Sequence, residues 1–498
     1  MHQKLVKNGG MPSLFRTHSR PTRGFAWLAA VGFLMLTGCA TVKNVNALPP
    51  TVTAALLRAD MTDSVLGLVA YPLSDGTRGL RINADEPRQP GSTMKLVTTI
   101  VALERLGTNS RGRTDVLANV KPQDGIIGGA LYLRGGADTD LDWGALWGML
   151  RQLREQGVTH IQGGLVVDRS LFNPPRLDIG VPPFDEAPEF QYNVIPDALN
   201  LNTSLLGFVL RSDDHVLSAR TSPVLPALRL DTSAMTLNDN VCAKWEDTWQ
   251  LPTVDADQGA PVLHFRGQFP RNCSRQLDLN LVDRRWTTAA TVRQIWSQLG
   301  GQISGPDVEG ATPSDAVVLT SHVGRPFAEV ARGMMKRSDN PLTRLTYLRL
   351  GAKTATGSEA TLAAAARSVR EWFAAKGIPV EGLVMDNGSG LSRSERITAQ
   401  QLAAVLEAAF KGPYAPELLS SLPVAGVDGT LARRFKGSVA EGRARMKTGT
   451  LRNVVALAGY VQDQQDRMWV VAATLNHDSA PAKGHAVLDS IVDWVASR

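Results

Sequence analysis

The chain has 498 residues, of which 43% are hydrophobic, so it is too long for one typical domain and can bury several cores. Its formal net charge is +6, but five of these charges lie within residues 1–38, where there is no Asp or Glu. The rest of the chain is nearly neutral and contains no Lys/Arg run with interleaved aromatics, which argues against nucleic acid as a partner.

The N-terminus is typical of a secretion signal. A basic stretch precedes an apolar run over residues 25–37, which has signal-peptide length and is too short to span a bilayer comfortably. The sequence Leu-Thr-Gly-Cys at 36–39 is similar to a lipobox, in which Cys39 becomes the lipid-carrying first residue. An ordinary signal peptide with an incidental Cys is the alternative. We expect a lipoprotein of the periplasm, tethered to the outer membrane through Cys39.

The two remaining cysteines fit an oxidising compartment. Cys242 and Cys273 are predicted to form a disulfide, with two buried free thiols as the alternative. Neither belongs to a Cys-x-x-Cys pair, and the eight His are scattered without metal-ligand spacing. The sequence therefore predicts no metal site and no cofactor.

The first predicted elements are a strand over residues 64–71 and a helix that follows Pro90-Gly91 and ends near Gly107. The helix is indicated by apolar residues that recur at helical spacing between these breakers, and it places Ser92 at or near its N-terminus.

The middle of the chain, from about 113 to 315, alternates short apolar runs with Gly, Pro and Asp turns, which indicates a β-rich region. One helix is expected there, near residues 142–156. Beyond it the periodicity predicts helices over 330–350, 358–376, 398–410 and 484–496, and strands over 444–450, 454–462 and 468–475. We expect an α+β protein in which antiparallel strands are backed by helices and interrupted by a β-rich insertion.

Three short motifs carry the chemistry: Ser92-Thr-Met-Lys95, Ser338-Asp-Asn340 and Lys447-Thr-Gly449. Each matches a pattern of serine acyl-transfer enzymes. Alone each is weak, because common residues meet at such spacings by chance. Each pattern occurs once here, however, and the three stand in the required order. Together they predict an active site.

The spacing suits nucleophilic catalysis. Residues three apart share a helix face, so Lys95 can reach the Ser92 hydroxyl and take its proton, provided that the pKa of Lys95 is lowered. Burial, the helix dipole and a nearby cation such as Lys447 would lower it. Backbone N–H groups of Ser92 and Thr450 can stabilise a developing oxyanion.

The remaining motif residues would handle the substrate. Lys447 and Thr448 can bind a substrate carboxylate, and Gly449 lets the substrate approach the strand closely. Ser338 and Asn340 would complete the proton relay and hold a substrate amide. The alternatives are purely structural roles: a helix cap at Ser92, a turn at 338–340 and an exposed strand lysine at 447. Under these alternatives, all three catalytic motifs would have to occur together by chance.

With these motifs the sequence resembles the class C low-molecular-mass penicillin-binding proteins, the D-alanyl-D-alanine carboxypeptidase/endopeptidase family of the penicillin-binding protein 4 type. Further matching segments lie at 386–393, 424–431, 447–451 and 456–460. The long gap between the first two motifs also fits, since this family carries a two-domain insertion there.

The resemblance implies the transpeptidase fold that penicillin-binding proteins share with serine β-lactamases, an antiparallel sheet flanked by helices, with a β-rich two-domain insertion. The expected organisation is a signal peptide over 1–38, a linker over 39–50, a catalytic domain over 51–112 and 316–498, a first insertion domain over 113–195 and 287–315, and a second over 196–286.

The resemblance also implies the reaction. Ser92 would attack the D-Ala-D-Ala carbonyl of a peptidoglycan stem peptide, and members often cut peptide cross-links as well. β-Lactams would acylate Ser92. Asp185 and Phe190 match residues that touch the substrate's diaminopimelate side chain, and Arg393 matches a substrate-contacting Arg. Arg452, another expected substrate contact, departs from the family pattern, since some relatives have Gln at this position.

Two other functions remain open. A serine β-lactamase would need fast deacylation, and no dedicated deacylating Glu can be identified. A non-enzymatic lipoprotein that binds cell-wall material would keep the fold without the chemistry, against which the intact motifs argue.

Overall fold

The computed structural model describes residues 47–75, 79–180, 187–255 and 260–498. The expected signal peptide, Cys39 and Asp185 lie outside the described residues. Within those ranges, no helix is both long and apolar enough to cross a membrane.

The helices and strands of the described residues are numbered in chain order. The helices are α1 (Pro50–Arg58), α2 (Met94–Arg105), α3 (Trp143–Glu155), α4 (Arg284–Gln298), α5 (Phe327–Arg337), α6 (Asn340–Thr354), α7 (Thr361–Ala375), α8 (Ala399–Lys411), α9 (Ala415–Ser421) and α10 (His485–Ala496). The strands are β1 (Leu66–Pro72), β2 (Leu80–Ile82), β3 (Arg113–Ala118), β4 (Ile126–Ile127), β5 (Leu131–Gly136), β6 (His160–Ile161), β7 (Leu165–Asp168), β8 (Leu206–Ser212), β9 (Leu217–Ser222), β10 (Arg229–Asn238), β11 (Trp249–Asp255), β12 (Val262–Pro270), β13 (Ser274–Leu279), β14 (Gln302–Ile303), β15 (Asp307–Glu309), β16 (Val317–Val323), β17 (Ala444–Leu451), β18 (Val454–Gln462) and β19 (Met468–Asn476).

The sheet that carries the site is five-stranded and antiparallel, in the order β17-β18-β19-β1-β2. Helices cover both of its faces. Along β1, Val69 and Tyr71 enter the core shared with α2 and α5–α8, whereas Leu68 and Ala70 enter the core shared with α1 and α10. This alternation follows from the period of two in a strand. Because both faces are buried, β1 is apolar throughout.

The chain between α2 and α5 forms four further sheets. The five-stranded sheet β15-β7-β5-β3-β16 and the small sheet β14-β6-β4 pack with α3 and α4 around one core. The sheets β13-β8-β9 and β10-β12-β11 enclose another core, and we call this unit the outer lobe, residues 206–282. The β-rich insertion is thus two packed units, each with its own apolar interior.

Two details differ from the sequence expectation. Strand β16 pairs with β3, so residues 317–323 complete a sheet of the insertion, although the boundary expected at 316 placed them in the catalytic domain. Helix α4 lies in a region predicted to be β-rich. Its sequence is polar and only weakly amphipathic, so apolar periodicity did not predict a helix there. Its buried side chains, such as Val292 and Trp296, pack in the core of the first insertion unit.

The outer lobe contains the disulfide. Cys242 and Cys273 are bonded, with their Cα atoms 5.4 Å apart. The bond joins the short 3₁₀ helix Cys242–Asp247 to the start of β13. A bridge across 31 residues restricts the unfolded chain and so favours the folded lobe.

Candidate active site

Ser92 lies in the one-turn 3₁₀ helix Gly91–Thr93 that runs directly into α2. Lys95 is in the first turn of α2 and is fully buried. Its Nζ donates hydrogen bonds to Ser92 Oγ at 3.0 Å, to Asn340 Oδ1 at 2.6 Å and to the carbonyl oxygen of Ser389 at 2.5 Å. Ser92 itself is half-buried, so its hydroxyl is partly accessible to solvent while the Lys95 amine that it contacts is buried.

The amine is prepared to accept a proton. Burial lowers the pKa of Lys95 to about 7, and the charge of Arg344 acts in the same direction. The negative charges of Glu395 and Asp339 oppose the shift and keep the pKa of Lys95 from falling further. Arg344 is thus a nearby cation that lowers the pKa of Lys95 and that the sequence did not suggest.

The segment 338–340 is the joint between α5 and α6. Ser338 ends α5 in the left-handed region with φ 59°, a conformation that costs energy for a residue other than Gly. The Asp339 side chain accepts from Leu342 N at 2.9 Å and so caps α6. Asn340 Nδ2 donates to the Tyr192 carbonyl at 3.0 Å. The joint is a turn before a helix, as the structural alternative has it, and it also directs Asn340 to Lys95 and Ser338 to Lys447.

Lys447 lies on β17, an edge strand of the central sheet. It is fully buried, and its Nζ donates to Ser338 Oγ at 2.8 Å and to the Thr448 carbonyl at 2.7 Å. Burial, together with the charge of Lys95, holds the pKa of Lys447 well below its usual value. Two buried amines thus face the joint from opposite sides, and each disfavours a charge on the other.

The next residues of β17 pass close to the nucleophile. A Cβ on Gly449 would lie 2.8 Å from the Pro90 carbonyl oxygen and 3.0 Å from Ser92 N, so only Gly allows this approach. The Thr450 N lies beside Gly91, 3.4 Å from where a Cβ would stand there. The backbone N–H groups of Ser92 and Thr450 are therefore neighbours, the arrangement that an oxyanion site needs.

Glu395 is a residue that sequence reasoning missed. It is fully buried, and its carboxylate accepts four backbone N–H groups, from Asp386, Asn387, Gly388 and Gly390, at 2.7–3.2 Å. Burial raises the pKa of Glu395, and the N–H donors oppose that rise. The carboxylate thereby shapes the loop that presents the Ser389 carbonyl to Lys95. The Gly-rich composition of 386–393 was the only available signal.

A second support holds Thr448. Its hydroxyl is 2.8 Å from the hydroxyl of Thr430, on the segment 424–431 that the resemblance had singled out. That segment is tied down by Asp428, which accepts from Val424 N and from Lys336 Nζ. Thr430 therefore orients the hydroxyl predicted to bind a substrate carboxylate.

The other predicted substrate contacts lie on the cleft beside the joint and on neighbouring loops. Phe190 is 38% exposed, stacks on Tyr192 and lines a cleft with Ser338 and Asn340. Arg393 is exposed on the Glu395-held loop, and Arg452 is exposed at the turn after β17. Asp185 is outside the described residues. Five motif side chains, those of Ser92, Lys95, Ser338, Asn340 and Lys447, are joined by hydrogen bonds around the α5–α6 joint. The roles of the predicted site residues stay predictions.

Comparison with known proteins agrees with this architecture. The structure of penicillin-binding protein 4 from Haemophilus influenzae matches with a TM-score of 0.73 at 21% identity, over 87% of this chain and 96% of that one. A second structure of that protein, in complex with a β-lactam, matches with a TM-score of 0.69. The expected penicillin-binding fold is confirmed.

Sequence comparison assigns the family. A D-alanyl-D-alanine carboxypeptidase of Actinomadura sp. (strain R39) is 28% identical over 467 residues, covering 91% of this chain and 85% of that protein. The carboxypeptidase DacB of Haemophilus influenzae is 26% identical and covers 74% of this chain and 76% of that one. The model of the D-Ala-D-Ala carboxypeptidase 3 (S13) family matches residues 50–498. The chain therefore belongs to the D-Ala-D-Ala carboxypeptidase 3 (S13) family.

Proposed function

We propose that the chain hydrolyses the terminal D-Ala-D-Ala bond of peptidoglycan stem peptides, and also peptide cross-links, through an acyl-enzyme on Ser92. The observation that carries this proposal is the buried Lys95 amine, 3.0 Å from the Ser92 hydroxyl and with a pKa of about 7. A neutral amine at this distance is a base for that hydroxyl. Relatives named carboxypeptidases support the reaction, and the β-lactam complex of a structural neighbour supports inhibition by β-lactams.

In the acylation step, Ser92 Oγ bonds to the carbonyl carbon while its proton passes to Lys95 Nζ. The carbonyl oxygen takes up negative charge and accepts from the N–H groups of Ser92 and Thr450. The C–N bond then breaks, and the departing D-Ala amine receives the proton that Lys95 took from Ser92, relayed through Ser338, which already bonds Lys447. Lys95 is then neutral again. Water later cleaves the ester: Lys95 takes a proton from the water as it attacks and returns that proton to Ser92 Oγ as the ester bond breaks.

The substrate's own carboxylate completes the charge balance. In the free protein both buried lysines resist protonation. A carboxylate held by the Thr448 hydroxyl would favour the charged form of Lys447 just beneath it. A cation there in turn keeps Lys95 neutral. Substrate binding thus favours a protonated Lys447 and a neutral Lys95, which can act as the base.

We further propose that the protein is exported to the periplasm and tethered to the outer membrane by lipid on Cys39. The basic N-terminus, the apolar run over 25–37 and the Cys at the lipobox position support this. The disulfide of the outer lobe suits an oxidising compartment.

Replacing Cys39 by Ser removes the thiol that would carry the lipid. We expect the wild-type protein to sediment with membranes and the Cys39→Ser protein to stay in the soluble fraction. The N-terminal peptide, read by mass spectrometry, should carry diacylglycerol in the wild type alone. An unmodified wild-type peptide would rule out the anchor.

Replacing Ser92 by Ala removes the nucleophile. We expect wild-type protein to shorten pentapeptides in purified peptidoglycan and to release monomers from dimers, and Ser92→Ala to do neither, as read by mass spectrometry of the products. Fluorescent penicillin should label the wild type stably and the variant not at all. Ser420→Ala, at an exposed serine of α9, is the matched control and should behave as wild type. Activity retained in Ser92→Ala would sink this mechanism, and rapid drug turnover without lasting label would indicate a β-lactamase.

The pH dependence of acylation should report Lys95. Only the neutral amine can accept the serine proton, so the second-order rate constant for labelling by fluorescent penicillin should rise with pH and level off above about 7. Below that value we expect about tenfold slower labelling for each pH unit. A rate that stays constant across this range would contradict a lysine base with a lowered pKa.

Glu395→Gln tests whether the Glu395 carboxylate holds the loop that presents the Ser389 carbonyl. The amide would set an N–H group against a backbone N–H, and we expect a loss of about 1–3 kcal/mol in stability, measured by urea unfolding. Removing the negative charge should also lower the pKa of Lys95, because Glu395 raises it. The rise of the labelling rate constant with pH should therefore occur at lower pH in the variant. The maximum rate constant should be smaller, because an amine with a lower pKa is a weaker base.

Glu395→Asp is the control for this experiment, since it keeps the charge but shortens the side chain. Its pH profile should remain close to that of the wild type even if its stability falls. An unshifted profile in Glu395→Gln would show that Glu395 acts on stability alone.

A further inference from the structure

A cleft of about 590 Å³ opens beside the α5–α6 joint, and no step of the reaction above uses its far side. Its inner end is formed by Ser338, Asn340 and Arg337. Its outer wall belongs to the outer lobe, with Glu246 and Trp249 contributed by neighbouring segments and Gln276 to Leu279 by β13. The space is thus continuous with the catalytic motifs and lies within the size range of ligand sites, roughly 300–1,000 Å³.

The outer wall is built to hold its shape. The disulfide joins the 3₁₀ helix that carries Trp245 and Glu246 to the start of β13. Trp245 is buried beneath the surface and packs on Trp249 with ring centroids 5.1 Å apart. The main chain at Phe190 bridges to Leu279, at the end of β13. Both edges of the wall are therefore fixed before any ligand arrives, which reduces the entropic cost of binding.

Three charged side chains line this cleft. In the part of the chain that the structure describes, the side chains of Glu246, Asp278 and Arg337 form no hydrogen bond or ion pair with another residue. The two acids lie on the outer wall and the arginine lies on the catalytic side. Elsewhere on the same lobe, by contrast, Arg271 is paired with Asp239. The cleft therefore offers both signs of charge to a ligand, beside an aromatic surface.

We propose that this cleft binds the second stem peptide of a cross-linked substrate, the peptide that lies on the far side of the bond from the acylated one. The inference rests on the proposed function and deepens it, because it makes the outer lobe the determinant of endopeptidase action. A stem peptide carries ammonium and carboxylate groups and an aliphatic backbone, which match the acids, Arg337 and Trp249 respectively. A neutral glycan has no charged groups to pair with the two acids and Arg337, so the peptide is the favoured occupant.

The test compares two soluble substrates that lack sugars: a monomeric pentapeptide and a cross-linked peptide dimer. The main variant is the double substitution Glu246→Gln/Asp278→Asn, which changes exposed side chains and leaves the core of the lobe intact. Trp249→Ala is a second variant, and Asp247→Asn, an exposed acid on the same 3₁₀ helix outside the cleft, is the matched control. We expect kcat/KM for the dimer to fall about tenfold in the double variant, as for lost hydrogen bonds to charged groups. The monomer value should stay within about twofold of wild type.

Each other outcome overturns the inference. Equal loss for monomer and dimer would place these residues in general substrate binding, and no loss for the dimer would leave the cleft without this role. A loss that appears only with sugar-bearing substrates would assign the cleft to glycan instead. If the wild type cleaves the monomer but the variants lose no more activity on the dimer than on the monomer, only this inference fails. If the wild type cleaves neither substrate, the proposed function fails and takes the inference with it.

Discussion

The site depends on the burial of one amino group, Lys95 Nζ. An amine removed from water must have hydrogen-bond acceptors, and this one finds them in Ser92, Asn340 and the Ser389 carbonyl. These three acceptors come from the start of α2, from the α5–α6 joint and from the loop shaped by Glu395. Satisfying a single buried amine therefore requires three distant segments to meet. The same burial lowers the pKa of Lys95 to about 7 and makes it a base.

The central sheet provides the fourth side of the site. Strand β17 is at the edge of the sheet, and the start of its outer edge bonds the segment around Val424. Among the described residues, no named strand pairs with the rest of that outer row. That row faces the turn that carries Ser92, at a distance that only Gly449 permits. An extended peptide can add to such an edge, and its scissile carbonyl then lies beside the N–H groups of Ser92 and Thr450. The sheet edge, which many proteins must protect from unwanted pairing, would bind the substrate backbone in the proposed reaction.

The insertion lies between the first two motifs in the chain, and its consequences follow from that position. Its chain leaves after α2 and returns through β16 into α5, which ends at Ser338. Residues of the insertion thereby contact the joint directly, since the Tyr192 carbonyl accepts from Asn340 and Arg344 donates to the carbonyls of Asn193 and Val194. The insertion helps to hold the catalytic side chains, and its outer lobe forms the far wall of the cleft.

The sequence by itself determined the chemistry and the main elements. Local signals sufficed for the helix that starts beside Ser92, for strands β17–β19 and for the three motifs, because periodicity and turn residues act over a few positions. They failed for α4, whose helical face is defined by what it packs against. They indicated helix between 330 and 350 with Ser338 and Asn340 on a loop, and the structure has α5 and α6 meeting at Ser338.

Only the tertiary structure decided how the motifs work together. Lys95 is separated from Asn340 by 245 residues and from Ser389 by 294, and no local pattern encodes such contacts. The role of Glu395 could not be read from its position, because an acid after a Gly-rich loop is ordinarily solvated. The effect of Arg344 on the pKa of Lys95 could not be predicted either, since burial and charge at Lys95 depend on every segment around it. Residue identity at Ser92 and Lys95 specified the reaction, and packing across the whole chain set the pKa that makes it possible.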